Sequence, residues 1–98
     1  MNAFVYILRC ADGTYYTGST RATLDERVGQ HNEGTYRGYT SSRLPVELVY
    51  SEAFDRIEDA ISAERKIKGW SWAKKEALID DDWQAVRQLS RRGRRKPG

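Results

Sequence analysis

Arg27, His31 and Glu64 occupy positions where two amphipathic helices should turn toward a core, and a chain shaped only for stability would carry Leu or Ala there. Counting from Leu24 at about 100° per residue places Val28 at about 40°, His31 at about −20° and Arg27 at about −60°, inside one apolar stripe. The same count from Ile57 puts Ala60 at about −60°, Ile61 at about 40°, Glu64 at about −20° and Lys68 at about 20°. An unpaired buried charge is expensive, so these groups either pair across the core or line a cleft where something is bound and processed. Arg27 with Glu64 could be a structural ion pair, and in the second case their chemistry would be put to use. A guanidinium fork meets two anionic oxygens at once, an imidazole trades a proton near neutrality, and a carboxylate holds a hard divalent cation.

Positioning them requires a sheet with helices against it. Phe4 to Cys10 and Thr14 to Ser19 are rich in β-branched and aromatic residues and flank Asp12-Gly13, which predicts a β-hairpin. A three-residue loop, Ala11-Asp12-Gly13, would pair Cys10 with Thr14 and Leu8 with Tyr16 and put Tyr6 and Tyr16 on one face. A two-residue loop would pair Arg9 with Tyr16 and separate them. A left-handed Gly13 suits the first register. Thr23-Leu24-Asp25-Glu26 has capping-box spacing, and with Gly34 as C-terminal cap it predicts a helix over 24–33. A polar loop over 35–45, carrying Tyr36, Arg37, Tyr39 and Arg43, leads to a third strand over 46–54. Asp55-Arg56-Ile57-Glu58 repeats the capping spacing and opens a helix over 56–68 that Gly69 stops; Ser71 caps a third through Ile79, and Asp80-Asp81-Asp82 starts a short fourth. The order ββαβαα predicts an α+β fold, a small three-stranded antiparallel sheet flanked by helices.

The chain of 98 residues suits one domain over 1–83 and a basic, flexible tail over 84–98. That tail holds six of the 17 basic residues and no acid, so residues 1–83 carry a net charge of −3 within a chain of +3. Affinity for a polyanion must come from a local patch or from the tail. The single Cys10 allows no internal disulfide and suits a reducing compartment. The chain has no apolar run of about 18 residues and no signal-peptide pattern, so a cytoplasmic location away from membranes is expected.

In chain order the candidate residues are Tyr6, Tyr16, Arg27, His31 and Glu64. Phe4-Val5-Tyr6 and Tyr16-Thr17-Gly18 resemble the two half-motifs of the GIY-YIG nuclease domain, followed by its helical Arg and, four residues later, His, then its Glu. The resemblance covers about residues 3–79 and is nearest to stand-alone single-domain bacterial members. Phe4 stands where the first half-motif has Gly, and Thr17 where the second has Ile. The Asn that many members carry after the Glu has no counterpart, since Asn2 and Asn32 both lie upstream; its role is missing or reassigned, with Lys68 and Trp70 as candidates.

The resemblance implies a divalent-metal-dependent endonuclease that hydrolyses phosphodiester bonds in DNA or structured nucleic acid, DNA more than RNA, in repair or processing. Glu64 would hold one Mg2+ or Mn2+, and a lone carboxylate favours a single-metal site. Arg27 would clamp the transition state, His31 would accept a proton or polarise a tyrosine, Tyr6 would be the base and Tyr16 would position water or phosphate. Lys66, Lys68, Lys74 and Lys75 with Trp70 and Trp72 form a basic and aromatic cluster that could grip backbone and stack on a base, and Arg37 and Arg43 in the loop are further candidates for gripping nucleic acid. The same features admit a solvated helix face with tryptophans over a small core, and a tail that only aids solubility. A non-catalytic nucleic-acid-binding or protein-interaction module on the same fold is the alternative reading.

Overall fold

The computed structural model describes residues 2–34 and 40–94, with side chains as far as Leu89, and divides into two compact units, 1–68 and 69–98. The first unit runs β1 (Ala3–Arg9), β2 (Tyr15–Thr20), α1 (Leu24–Asn32), β3 (Glu47–Phe54) and α2 (Ile57–Lys68). Its sheet is antiparallel with β1 central, in the order β2-β1-β3.

The hairpin adopts the three-residue loop. Leu8 pairs with Tyr16 and Tyr6 with Gly18, the Cys10 N–H donates to the Thr14 carbonyl at 2.8 Å, and Gly13 has φ 85°. Tyr6, Leu8 and Tyr16 therefore share a face, because side chains alternate along a strand. That face packs with Cys10 and Val46 against Leu24 and Val28 of α1, along with Leu44 and Leu48. Val5, Ile7 and Thr17 occupy the alternate positions and are buried, and α2 packs against β1 and β2. The Thr17 hydroxyl makes no hydrogen bond among the described residues.

Both expected capping motifs of α1 and α3 are formed by side chains. Thr23 accepts from the Glu26 N–H at 3.2 Å, and Ser71 accepts from the Lys74 N–H at 3.2 Å. Asn32, the last residue of α1, clamps β3: its amide accepts from the Val46 N–H at 2.7 Å and donates to the Val46 carbonyl at 3.1 Å. This bidentate contact fixes where the strand starts relative to the helix.

The second unit holds α3 (Trp72–Ile79) and α4 (Trp83–Arg94), packed on each other around Ala77, Leu78 and Val86. Asp81, at φ 59°, ends α3: its N–H bonds the Leu78 carbonyl and the next N–H, from Asp82, bonds the Ala77 carbonyl. Asp82 then caps α4 by accepting from the Ala85 N–H at 3.1 Å. The segment expected as a flexible tail from residue 84 is thus helical through Arg94. Its physical basis is an amphipathic repeat, with Val86 buried and Leu89 half-buried one turn on, behind an aspartate cap.

Candidate active site

Tyr6, Tyr16 and His31 make one aromatic cluster. Ring centroids lie 6.4 Å apart for the tyrosines, 6.2 Å for Tyr6 and His31, and 5.2 Å for Tyr16 and His31. Strand pairing explains why the cluster can form. Gly18 stands opposite Tyr6 on β2, and a Cβ there would lie 2.5 Å from the Tyr6 hydroxyl and 2.7 Å from Cζ. Only a residue without a side chain lets the phenol lie across the strand.

His31, buried at 2% exposure, bridges two hydroxyls: Nε2 is 3.3 Å from the Tyr6 oxygen and Nδ1 is 2.9 Å from Thr40 Oγ1. Burial, assisted by the Arg27 charge, lowers the imidazole pKa from its ordinary value, so His31 is held neutral. Burial also pushes the Tyr6 phenol well above its ordinary range; Tyr16 and Glu64 add to the rise and Arg27 opposes it. The chain's own charges therefore do not favour a Tyr6 phenolate, and of the two bonded groups the imidazole is the better proton acceptor near neutrality.

Arg27, half-buried, is oriented by β2, since its Nε and Nη2 both donate to Thr20 Oγ1 at 3.1 and 2.7 Å. The same oxygen accepts from the Ala22 N–H at 2.9 Å, which ties the end of the strand to the start of α1. Glu64 projects from α2 to the other side of β2. Oε1 accepts from Ser19 Oγ at 2.5 Å and Oε2 pairs with Lys68 Nζ at 3.1 Å, one helical turn along. Lys68 Nζ also lies 5.9 Å from the Tyr16 ring centroid, so the pair reaches around edge strand β2 toward the tyrosines.

Tyr6, Tyr16 and His31 thus cluster at Gly18, Arg27 is tied to Thr20 two residues along the same strand, and Glu64 meets Ser19 on the strand's other side. The alternative of an Arg27–Glu64 bridge is not the arrangement found, since Glu64 takes Lys68 as its partner. Ser19, Thr20 and Thr40 were not among the candidate residues; hydroxyls in β-rich or loop sequence carry no signal of what they will face after folding. Arg43 is drawn to the hairpin loop, its Nε 3.0 Å from Asp12 Oδ2, while Arg37 lies outside the described residues. Lys66 is exposed on α2, and in the second unit the Lys74 ammonium lies 3.9 Å from the Trp70 ring centroid.

Among the described residues no three His, Cys, Asp or Glu gather as a metal cluster. Glu64 supplies one carboxylate, 19% exposed at its side chain and already set against a cation, the Lys68 ammonium. A lone carboxylate of this kind is chemically suited to a hard ion that keeps most of its waters.

A small antiparallel sheet whose paired strands bring two tyrosines to a glycine, with Arg and His on one helix and Glu on the next, defines a nuclease-type domain. The GIY-YIG catalytic domain model matches residues 2–77, and the chain belongs to the GIY-YIG family. It is 47% identical over 79 residues to a UPF0213 protein of Natronomonas pharaonis, covering 81% of this chain and 92% of that one. A UPF0213 protein of Halobacterium salinarum is 47% identical over 75 residues, 76% of this chain and 96% of its own. The solution structure of a UPF0213 protein from Bacillus halodurans superposes with a TM-score of 0.53 at 42% identity, over 82% of this chain and 84% of that chain. No helix among the described residues is long and apolar enough to cross a membrane.

Proposed function

We propose that the chain is a divalent-metal-dependent endonuclease that hydrolyses phosphodiester bonds in DNA or structured nucleic acid. The observation that supports this reading is the Tyr6–His31 contact at the Gly18 notch, with Glu64 and Arg27 bonded to Ser19 and Thr20 just beyond it on the same strand: a proton acceptor, a hard ligand and an oxyanion fork tied to one short stretch of β2. Such a set supplies the three requirements of phosphodiester hydrolysis, which are a deprotonated nucleophile, charge neutralisation and orientation.

With Nδ1–H donating to Thr40, His31 Nε2 accepts the Tyr6 proton while the phenol oxygen takes one from the attacking water. Tyr6 then acts as a relay and neutral His31 as the sink. Arg27, aimed by Thr20, presents its remaining donors to two phosphate oxygens. Tyr16 orients water or phosphate. Glu64 would hold Mg2+ or Mn2+, which supplies positive charge to the phosphate oxygens as negative charge develops. Lys66, Lys68, Lys74, Lys75, Trp70, Arg37 and Arg43 are the proposed contacts to the flanking strand.

The test is cleavage of single-stranded, duplex and branched substrates with and without Mg2+, by the chain and by Glu64→Gln. The substitution keeps side-chain volume and the Ser19 contact but removes the charge, so cleavage should vanish while thermal stability stays nearly unchanged. Cleavage that survives in Glu64→Gln removes the assigned role, and a stability loss of several kcal/mol makes Glu64 scaffold instead.

A further inference from the structure

All three tryptophans of the chain, Trp70, Trp72 and Trp83, lie in the second unit, and none is buried. Trp72 is 57% exposed and Trp83 49%, whereas the interior of this unit is built from the aliphatic Ala77, Leu78 and Val86. Large aromatics left out of a core this small add little to its stability, and their exposed faces are surfaces on which a flat partner can stack.

Charge says what that is. Residues 69–98 hold eight of the 17 basic and four of the 14 acidic residues, a net +4, while residues 1–68 net −1; five of the eight basic residues, Arg91, Arg92, Arg94, Arg95 and Lys96, follow the described side chains, and Lys74, Lys75 and Arg87 precede them. Cations also accompany the rings: the Lys74 ammonium lies 3.9 Å from the Trp70 centroid, and Arg87 is exposed one turn after Trp83 on α4. Trp83 is held at its edge, its indole N–H donating to Asp81 Oδ1 at 2.7 Å from the left-handed residue that ends α3. That bond orients the ring through the polar edge, and stacking uses the faces. The family match ends at residue 77, before α4 begins at Trp83.

We infer that this second unit is a docking platform for unpaired nucleic acid, with bases stacked on Trp72 and Trp83 and the backbone met by Lys74, Lys75 and Arg87. The inference rests on the proposed nuclease reading and specifies its substrate as one with single-stranded character. Aromatic faces are available to any unstacked base and cationic side chains track the backbone, whereas a duplex presents its bases already stacked. Insertion into a lipid surface is disfavoured, because Val86 on α4 and Ala77 and Leu78 on α3 are turned into the unit.

The location of the tryptophans makes the test direct, since intrinsic indole fluorescence reports this unit alone. The full chain carrying Glu64→Gln is titrated with a single-stranded oligonucleotide, with the same sequence as a duplex, and with anionic phospholipid vesicles, at several salt concentrations. Single strands should quench the fluorescence and bind more tightly than duplex; Trp72→Ala and Trp83→Ala should each weaken that binding at least about fivefold, with Trp72→Phe and Trp83→Phe restoring most of it. Unquenched fluorescence, tighter duplex binding, alanine variants that bind single strands like the parent, or a response to vesicles alone would each overturn the platform. Cleavage is not read in this titration, so loss of the nuclease assignment would appear only in the metal-dependent assay, and loss of the platform only here.

Discussion

The Tyr6 hydroxyl and His31 Nε2 lie 3.3 Å apart with both residues 2% exposed, and burial moves their proton affinities in opposite senses, the phenol's up and the imidazole's down. Each group is thereby kept neutral at physiological pH. A neutral donor beside a neutral acceptor is a proton path that costs no charge separation at rest.

A pH dependence of stability follows. His31 is the single histidine, and its folded pKa lies below the ordinary 6.5. Its contribution to stability is present above the unfolded value and is lost as pH falls through the lowered folded one. Thermal denaturation between about pH 5 and 7.5 should show Tm falling on the acid side, and His31→Gln should flatten that slope. Cleavage should lose activity over the same acid range. An unchanged slope in the variant would remove His31 as the titrating group.

Much of this arrangement was legible before folding, for identifiable reasons. Asp12-Gly13 located the turn but left a two-residue and a three-residue loop open; a left-handed Gly13 suited the three-residue loop, the register that brings Tyr6 and Tyr16 to one face. Helix periodicity located Arg27, His31 and Glu64. What periodicity does not encode is the partner across the fold: Thr20 for Arg27, Thr40 for His31, Ser19 for Glu64 and Val46 for Asn32 are separated in sequence by 7, 9, 45 and 14 residues. The extent of the fourth helix, through Arg94, was hard to read for a different reason. Its arginine run has the composition of a disordered tail, while two aliphatic positions and the Asp82 cap are enough for a helix once α3 is present to cover them.

Gly18→Ala probes the notch. The added Cβ would approach the Tyr6 oxygen to 2.5 Å and Tyr16 Cε2 to 3.1 Å, and the buried Tyr6 ring has little room to give way. Destabilisation of about 1–3 kcal/mol and loss of cleavage are expected. A double-mutant cycle with Tyr6→Leu, which removes the ring atoms in conflict, should recover part of the stability but none of the activity. Additive losses would mean that the glycine serves the strand and not the tyrosine.

Lys68 should compete with any metal at Glu64. Its side chain is 55% exposed, so the pair itself contributes less than about 1 kcal/mol to the fold and Lys68→Gln should barely move Tm. Removing the ammonium from Oε2 leaves the carboxylate open to a divalent cation, and Mn2+ affinity, followed by electron paramagnetic resonance, should rise several-fold. Weaker Mn2+ binding in the variant would instead make Lys68 a support for the site.

Thr20 offers the sharpest separation of positioning from stability. Its hydroxyl receives both Arg27 donors and the Ala22 N–H, so Thr20→Val keeps the shape and β-branching of a strand residue while taking away the oxygen that aims the guanidinium. The lost bonds should cost about 1–3 kcal/mol, chiefly because the donors lose a partner. The effect on cleavage should be larger: Arg27 keeps its charge but samples other directions, so kcat should fall at least about tenfold with a smaller change in KM, the pattern of an interaction made mainly in the transition state. Thr20→Ser retains the oxygen and should restore kcat. If Thr20→Val cleaves like the parent, the Thr20 bond holds α1 to β2 and does not aim Arg27 at the phosphate.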